Sequence, residues 1–332
     1  MNILVICIGV FILILTFLDF FHTTFSGYGF GILSQKLNHF LDRIILKNKN
    51  RFIFKYSGLI HILITAFMWL LLLLLGTFII FISGDGMVVI AETKNPATII
   101  ERFYYICYLV STVGIGDMVP GNATSRIFTA VLSFSGFILL TTSMTYLISV
   151  VNAVLQKKQL AAYISTLGGN IEATYKYVTI KNDLRTLNDI SNDLRKLIIK
   201  NSNYYYFFPV IDYFLTRRKT DSVELQLAIL NEVLMVLRNS YDKGSIEFEK
   251  IRDIENTIEY YLHIRLKNAE RYQHRPEELH KLRQFWNKYD QTYQNDSKTD
   301  RAMGASLTSS GWTWKDVYSL QQAKELTGVK SF

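Results

Sequence analysis

The stretch Thr-Val-Gly-Ile-Gly-Asp, residues 112–117, decides the fold because it lies between two long apolar runs. Residues 59–82 and residues 127–155 contain no charged side chain. Each run exceeds the ~20 residues that a helix needs to cross hydrocarbon. At membrane depth, irregular backbone is tolerated only where protein buries it or where it lines a water-filled path. The glycine-punctuated loop therefore indicates backbone that is exposed to an aqueous pathway.

The surroundings of this loop carry a family resemblance. Thr112–Gly116 resembles the selectivity-filter signature of tetrameric pore-loop potassium channels, Thr-Val/Ile-Gly-Tyr/Phe-Gly. Residues 101–111, ERFYYICYLVS, resemble the pore helix of that family, and residues 117–121 resemble the segment after its filter. The resemblance covers residues 57–155, a two-transmembrane ion channel domain preceded here by an extra N-terminal helix. It implies a homotetramer, because four loops must surround one axis.

The resemblance also assigns the ion-binding atoms. In the family, carbonyl oxygens of the filter replace the hydration shell of the ion. The carbonyls of Thr112, Val113, Gly114 and Ile115 would then bind K⁺, and Gly116 would close the outer end. Pointing successive carbonyls at one axis requires positive φ, which glycine adopts at low steric cost. We expect no cofactor beyond the permeant K⁺.

Three side chains are expected to support the filter, namely those of Tyr104, Tyr108 and Asp117. Ile115 stands where the family has an aromatic residue that braces the loop. Tyr108 stands where some bacterial channels have a buried carboxylate, and Tyr104 is placed so that its hydroxyl could meet Asp117. The departure at Ile115 leaves a weakly selective cation channel as the alternative to potassium selectivity.

The second apolar run carries the candidates for gating. Gly136 lies twenty residues beyond Gly116, where the inner helix of many potassium channels has its hinge glycine. Hinging and close packing against the pore helix are both open. Met144 and Ile148 share one helical face, and an apolar ring can close a pore by dewetting. No span carries an arginine ladder, so we do not expect voltage sensing of the usual kind.

Charge predicts the orientation in the membrane. The cations between the first two spans outnumber the single acid, Asp42; they are Lys36, Arg43, Lys47, Lys49, Arg51 and Lys55. By the positive-inside rule, residues 22–57 and the C-terminal half lie in the cytoplasm. The N-terminus and the pore loop then lie outside. The location is a multi-pass position in the cell membrane, which in a bacterium is the inner membrane. Basic residues beside the bilayer account for the net charge of +8, so no nucleic-acid partner is expected.

These observations predict an all-α membrane protein with four segments. Residues 1–21 form an N-terminal transmembrane helix, and residues 22–57 form a cytoplasmic linker with an amphipathic helix. That helix either lies along the bilayer or docks on the cytoplasmic domain. Residues 58–156 form the pore domain, and residues 157–332 form a helical cytoplasmic domain. Within it, residues 291–311 are polar and rich in small residues, as expected for a mobile linker.

The remaining signals exclude several classes. No nucleophile–base motif, nucleotide-binding fingerprint or metal-ligand spacing is present, so the chain is not expected to be an enzyme. Asp19 is expected to anchor the first helix at the membrane interface. Nothing identifies a ligand or protein partner of the cytoplasmic domain. The last alternative is a membrane-anchored interaction protein whose cytoplasmic helices carry the function.

Overall fold

The computed structural model describes residues 2–25, 29–47, 51–180, 184–266, 276–289 and 297–318. Helices dominate these residues, which confirms the all-α class. The helices are α1 Ile3–Phe25, α2 Ile32–Lys47, α3 Arg51–Phe54, α4 Ser57–Phe81, α5 Ile99–Val110, α6 Ala123–Thr166, α7 Ile171–Ile180, α8 Leu184–Phe207, α9 Val223–Asn239, α10 Ile246–Leu266, α11 Pro276–Arg283, α12 Ser297–Ser309 and α13 Trp314–Tyr318. One short antiparallel pair, β1 Val88–Ile90 and β2 Met118–Pro120, was not predicted from the sequence.

Three of these helices, α1, α4 and α6, are long and apolar enough to cross a membrane. Helix α1 continues to Phe25, beyond the predicted end at residue 21. Helix α6 has 44 residues and continues to Thr166, beyond the predicted boundary at residue 156. At 1.5 Å per residue, α6 is about 66 Å long, roughly twice the hydrocarbon thickness. Its C-terminal part therefore extends the span as a continuous helix.

The chain divides into two compact units. The first contains Met1–Leu41 and Ile60–Ser149, and the second contains Asp42–Leu59 and Val150–Phe332. In the first unit, α1 packs closely on α4 where two glycines meet. A Cβ added to Gly9 would lie 2.8 Å from the Gly76 carbonyl oxygen. Small residues let membrane helices approach in this way. Helix α1 thus contacts α4 closely.

The core of the first unit holds the pore helix α5 in place. Its buried apolar residues come from α1, α4, α5, α6 and the outer loop; they are Leu13, Leu73, Ile80, Phe81, Met87, Val88, Ala97, Tyr105, Ile106, Tyr108, Leu109, Val110 and Leu132. The Phe81 and Tyr105 rings meet edge to face at 5.3 Å. The Tyr105 hydroxyl also shares a hydrogen bond with Thr129 at 2.5 Å. One side of α5 is therefore fixed by packing.

The second unit is a helical domain centred on α9, of which most residues are buried. Helix α12 packs against α9 and α10, and its Met303, Ala305 and Leu307 are buried. The prediction of a mobile linker over residues 291–311 is therefore wrong for its described part, and residues 291–296 lie outside the described chain. Its small residues fill a tight helix–helix contact and do not form a loop.

The second unit also includes the end of the linker. Ile45, Phe54 and Leu215 form a small buried cluster. The Ser57 hydroxyl, at the start of α4, donates a hydrogen bond of 2.6 Å to the Tyr213 carbonyl. The C-terminal end of α2 therefore packs within the second unit. The remainder of α2 belongs to the first unit.

Candidate ion-conducting site

Helix α5 leads directly into the candidate filter. Its N-terminus is fixed by a capping box, in which Thr98 N–H donates to Glu101 Oε2 at 2.7 Å and Glu101 N–H donates to Thr98 Oγ1 at 3.4 Å. Its last helical residue is Val110, and Ser111 caps the C-terminus with its N–H on the Cys107 carbonyl. The partial negative charge at this end of a helix favours a nearby cation. The loop that follows begins at Thr112.

The backbone of the loop changes hand at every second residue. Thr112 has φ of 61°, Gly114 has φ of 62° and Gly116 has φ of 90°, while Val113 and Ile115 have negative φ. Such alternation can direct successive carbonyl oxygens to the same side, as a ring of carbonyls around an ion requires. Thr112 is the unusual member, because a non-glycine residue rarely adopts positive φ outside functional or strained sites.

The loop is open in the single chain. Residues 111–117 are all exposed. A Cβ added to Gly114 or Gly116 would meet no atom within 4 Å. Glycine is therefore favoured at these positions by the positive φ angles and not by contact with neighbouring atoms. Within the described residues no group of three His, Cys, Asp or Glu side chains could hold a metal ion.

The structure brings the three support residues together behind the loop. The Tyr104 and Tyr108 rings meet edge to face at 5.3 Å. The Tyr108 hydroxyl donates a hydrogen bond to the Met118 carbonyl, just after the loop. The Asp117 carboxyl accepts from Met118 N–H at 2.9 Å and lies near the Tyr104 hydroxyl. Tyr108 thus holds the backbone directly after the loop, and Tyr104 packs beside it.

The unpredicted β-pair fixes the same end from the other side. Strand β2 follows the loop directly and pairs Met118 with Ile90 and Pro120 with Val88. The Ala91 N–H also donates to the Asp117 carbonyl at 2.8 Å. The loop is therefore tied both to α5 and to the segment that follows α4. Three-residue strands are too short to show a clear alternation in the sequence.

Arg102 is a second feature that the sequence analysis missed. This side chain of α5 is buried, and its guanidinium donates to carbonyls around the end of α4. Nε lies 2.9 Å from Ala97 O, Nη1 lies 3.2 Å from Gly84 O, and Nη2 lies 3.1 Å from Asp85 O. A planar guanidinium suits this role because its donors diverge in fixed directions. Arg102 thereby anchors the start of the pore helix.

The candidates on α6 fall into two environments. A Cβ added to Gly136 would lie 2.3 Å from the Val110 carbonyl oxygen, so this glycine packs against the end of the pore helix. That contact favours close packing over the hinge alternative. Met144 and Ile148 lie instead on an exposed face of α6, with 60% and 63% of their surface accessible. The structure does not bring these two side chains into the described core of the first unit.

Comparison with known proteins gives a family match for the segment that contains the loop. Residues 67–153 match a family described as ion channel. A protein of Bacillus subtilis (strain 168), the uncharacterized membrane protein YdjJ, is 24% identical over 265 residues, 76% of this chain and 76% of its own length. The voltage-gated potassium channel Kch of Escherichia coli (strain K12) is 37% identical over 71 residues, 21% of this chain and 17% of that protein. No solved structure matches the chain. The resemblance seen in the sequence is confirmed at this level, and residues 67–153 are an ion channel domain.

Proposed function

We propose that this chain is the subunit of a potassium-selective channel in which four copies surround one filter. The observation that carries the proposal is the alternation of backbone hand at Thr112, Gly114 and Gly116, directly after the pore helix. A carbonyl ring that replaces the hydration shell of K⁺ needs this alternation at the axis of a tetramer. The partial similarity to a potassium channel over 71 residues supports the same ion.

The proposed orientation places the filter near the outer surface. Helices α1, α4 and α6 are the three spans, so the N-terminus lies outside and residues 22–57 lie in the cytoplasm. The basic linker and the Lys157-Lys158 pair after the third apolar run support this orientation through the positive-inside rule. The helical domain that follows α6 is then cytoplasmic, in a multi-pass protein of the cell membrane.

A weakly selective cation channel is the second candidate, and Ile115 favours it. This side chain is 55% exposed and offers no hydrogen-bonding group to brace the loop. The tyrosines beside the loop are the bracing candidates instead, because the Tyr108 hydroxyl donates to the Met118 carbonyl and the Tyr104 ring packs on Tyr108. If the isoleucine loosens the filter, Ile115→Tyr should raise the preference for K⁺ over Na⁺. If the tyrosines suffice, the native protein already excludes Na⁺.

Reversal potentials in mixed K⁺ and Na⁺, measured on the purified protein in planar bilayers, test the proposal. We expect a reversal potential close to the K⁺ equilibrium value. Gly114→Ala should abolish the selective current, because a Cβ at positive φ strains the backbone and turns the carbonyls. Gly244→Ala is the matched control, since Gly244 has φ of 94° and equally open surroundings but lies in the cytoplasmic domain.

Each outcome separates the candidates. Selective current that persists in assembled Gly114→Ala protein would refute the filter assignment. A reversal potential of the native protein that depends equally on the K⁺ and Na⁺ gradients would support the weakly selective cation channel. Correctly inserted protein without any cation current would point to the membrane-anchored interaction protein.

A further inference from the structure

Helix α2 is turned with its polar side inward. Its buried positions are Ser34, Asn38, Asp42 and Ile45, which recur at three or four residues and form one face. Three of these four side chains are polar. A helix that packs on a protein core usually buries its apolar side, so this orientation requires specific polar partners.

Asp19 of α1 supplies the first of these partners. Its carboxylate accepts hydrogen bonds from Leu33 N–H at 2.7 Å and Ser34 N–H at 3.2 Å, and also from the Ser34 hydroxyl. Trp69 of α4 donates to the same carboxylate at 2.9 Å. Asp19 therefore caps the N-terminus of α2 from a buried position. A carboxylate is favoured at this end of a helix.

Asn38 supplies the second contact, about one helical turn further along. Its side-chain amide donates to Thr65 Oγ1 at 3.0 Å, and its Oδ1 lies 2.7 Å from His61 Nδ1. Both partners are on α4. Together with Asp19, this pair of contacts fixes the rotation of α2 about its own axis, because buried polar groups are costly to leave unpaired.

The opposite face of α2 is consequently exposed and has an unusual composition. Its apolar side chains include Ile32, Phe40 and Ile44, which are 74%, 62% and 53% exposed. Its three basic residues are Lys36, Arg43 and Lys47, all exposed. At 100° per residue the three basic side chains lie between Ile32 on one side and Phe40 and Ile44 on the other, so apolar side chains flank the cations. The acid of this helix, Asp42, is on the buried face.

We propose that this outward face of α2, defined by Ile32, Lys36, Phe40, Arg43, Ile44 and Lys47, binds the anionic headgroup layer of a phospholipid bilayer. Apolar side chains enter the boundary of the acyl region while the adjacent cations contact phosphate. Charge complementarity identifies this partner, because in the described part of the chain none of the three cations forms an ion pair. The chain enters and leaves this segment through the apolar helices α1 and α4, which bring the face to a membrane.

A second copy of the chain is the competing occupant. The same face on another subunit would present three further cations, and like charges oppose such a contact. A bilayer that contains anionic lipid has no such conflict. The inference does not depend on potassium selectivity, because its test requires no ionic current.

A fluorescent label at position 40 tests the contact in the full-length protein. Phe40→Cys is made in a Cys7→Ser, Cys107→Ser background, labelled with bimane and reconstituted in phosphatidylcholine bilayers. Nitroxide-labelled phosphatidylcholine or phosphatidylglycerol is then added as quencher. We expect strong quenching at position 40, as at an exposed position of α4, Phe67→Cys. A label on the cytoplasmic domain, Tyr260→Cys, should stay unquenched.

The charge requirement is tested in the same assay. A basic residue near an anionic surface raises the local lipid concentration about fivefold, so phosphatidylglycerol should quench several-fold more than phosphatidylcholine. Lys36→Gln/Arg43→Gln/Lys47→Gln should remove this preference. The control Lys196→Gln/Lys200→Gln/Lys243→Gln changes the net charge equally on exposed residues of the cytoplasmic domain and should keep it.

Two results would overturn the proposal. No quenching at position 40, with normal quenching at position 67, would show that protein covers the face and would favour a second copy. Equal quenching by both lipids in the native sequence would show that the three cations do not select anionic headgroups. Either result leaves the filter proposal intact, since that proposal stands on reversal potentials.

Discussion

Gly136 lies where α6 passes the end of the pore helix, and the contact leaves no room for a side chain. A Cβ at this position would be 2.3 Å from the Val110 carbonyl oxygen. Gly136→Ala should therefore separate the two helices and lower the free energy of unfolding by about 1–3 kcal/mol. Thermal unfolding of the purified protein in detergent measures this change.

Gly86→Ala is the control for that variant, because a Cβ on Gly86 meets no atom within 4 Å. It should leave the unfolding temperature nearly unchanged. If Gly136→Ala unfolds like Gly86→Ala but opens less often in bilayer recordings, the hinge assignment is correct and close packing is not the role of this glycine.

The Tyr104 hydroxyl is the second residue whose role can be measured. The Asp117 carboxylate lies near this hydroxyl, so a hydrogen bond between them would tie the end of the loop to α5. Tyr104→Phe removes that bond and keeps the ring that packs on Tyr108. We expect several-fold faster current decay, or a lower open probability, with little effect on assembly.

Single-channel recording in bilayers provides the measurement. Tyr260→Phe, at an exposed site on α10, controls for the loss of a hydroxyl elsewhere. Unaltered decay in Tyr104→Phe would show that the Tyr108 contact with Met118 and the β-pair hold the loop without this bond.

At the residue scale, a role can be predicted from the sequence when it depends on the residue itself and not on partners elsewhere in the chain. Gly114 and Gly116 are recognisable because positive φ is a property of the residue itself. Arg102 and Asp19 are not, because their partners come from other elements. Arg102 bonds to carbonyls near the end of α4, and Asp19 bonds to the first turn of α2. Before those elements are placed, a buried Arg and a buried Asp look like membrane-surface charges.

The same limit applies to whole elements. The spans α4 and α6 follow from uninterrupted apolar runs, whereas α12 does not follow from its composition. Ser306 and Ser309 suggest a loop, but both accept hydrogen bonds from the buried Arg265, Ser309 Oγ at 2.9 Å. Arg265 of α10 thereby bonds to polar groups that α12 would otherwise bury unpaired. A pattern of small polar residues cannot reveal a partner that lies about forty residues away in the sequence.

Within the second unit, a buried ion pair joins the C-terminal part of α6 to α9. Lys157 Nζ lies 2.9 Å from Glu224 Oε1, and both side chains are almost fully buried. Arg265 Nη2 lies 3.3 Å from the same carboxylate. Lys157→Met should destabilise the protein by about 3–5 kcal/mol, because it leaves a buried carboxylate without one of its two cations. Chemical denaturation followed by tryptophan fluorescence measures the loss.

Lys176→Met is the matched control, since Lys176 pairs with Glu172 at the same distance of 2.9 Å on an exposed surface. Exposed pairs of this kind contribute little, so the control should remain near the native stability. Equal stability of the two variants would show that the buried pair is not what holds α6 to the second unit.

The loss of stability caused by Lys157→Met should depend on pH, and the ionisation of Glu224 determines in which direction. Burial alone would raise the pKa of Glu224, but the charges of Lys157 and Arg265 outweigh it and hold the pKa well below its ordinary value. The stability that this carboxylate contributes is therefore present above about pH 4 and is lost as the pH falls further. The difference in unfolding free energy between the native protein and Lys157→Met should narrow below about pH 4. A difference that stays constant down to pH 2 would show that Glu224 is not responsible.

At the scale of the whole molecule, one chain leaves both the candidate filter and one face of α6 uncovered. The exposed residues of that face include Phe134, Phe137, Met144 and Ile148. Residues 111–117, which contain the candidate filter, are exposed as well. A soluble domain would bury such a face internally. In a membrane, either lipid or other copies of the chain can cover it. A loop that must supply carbonyls from all sides of an ion favours other copies.

Mixed assemblies distinguish a tetramer from smaller states through function. When native and Gly114→Ala chains are co-expressed in equal amounts, about one tetramer in sixteen has four native loops, against about one dimer in four. Selective current should therefore fall far more steeply than the fraction of native chains if four loops form one filter. The co-expressed Gly244→Ala control should leave the current unchanged. The purified complex should also have a mass near four chains. A decline in proportion to the native fraction, together with a mass of one chain, would mean that each copy conducts alone and that the exposed face of α6 is covered by lipid.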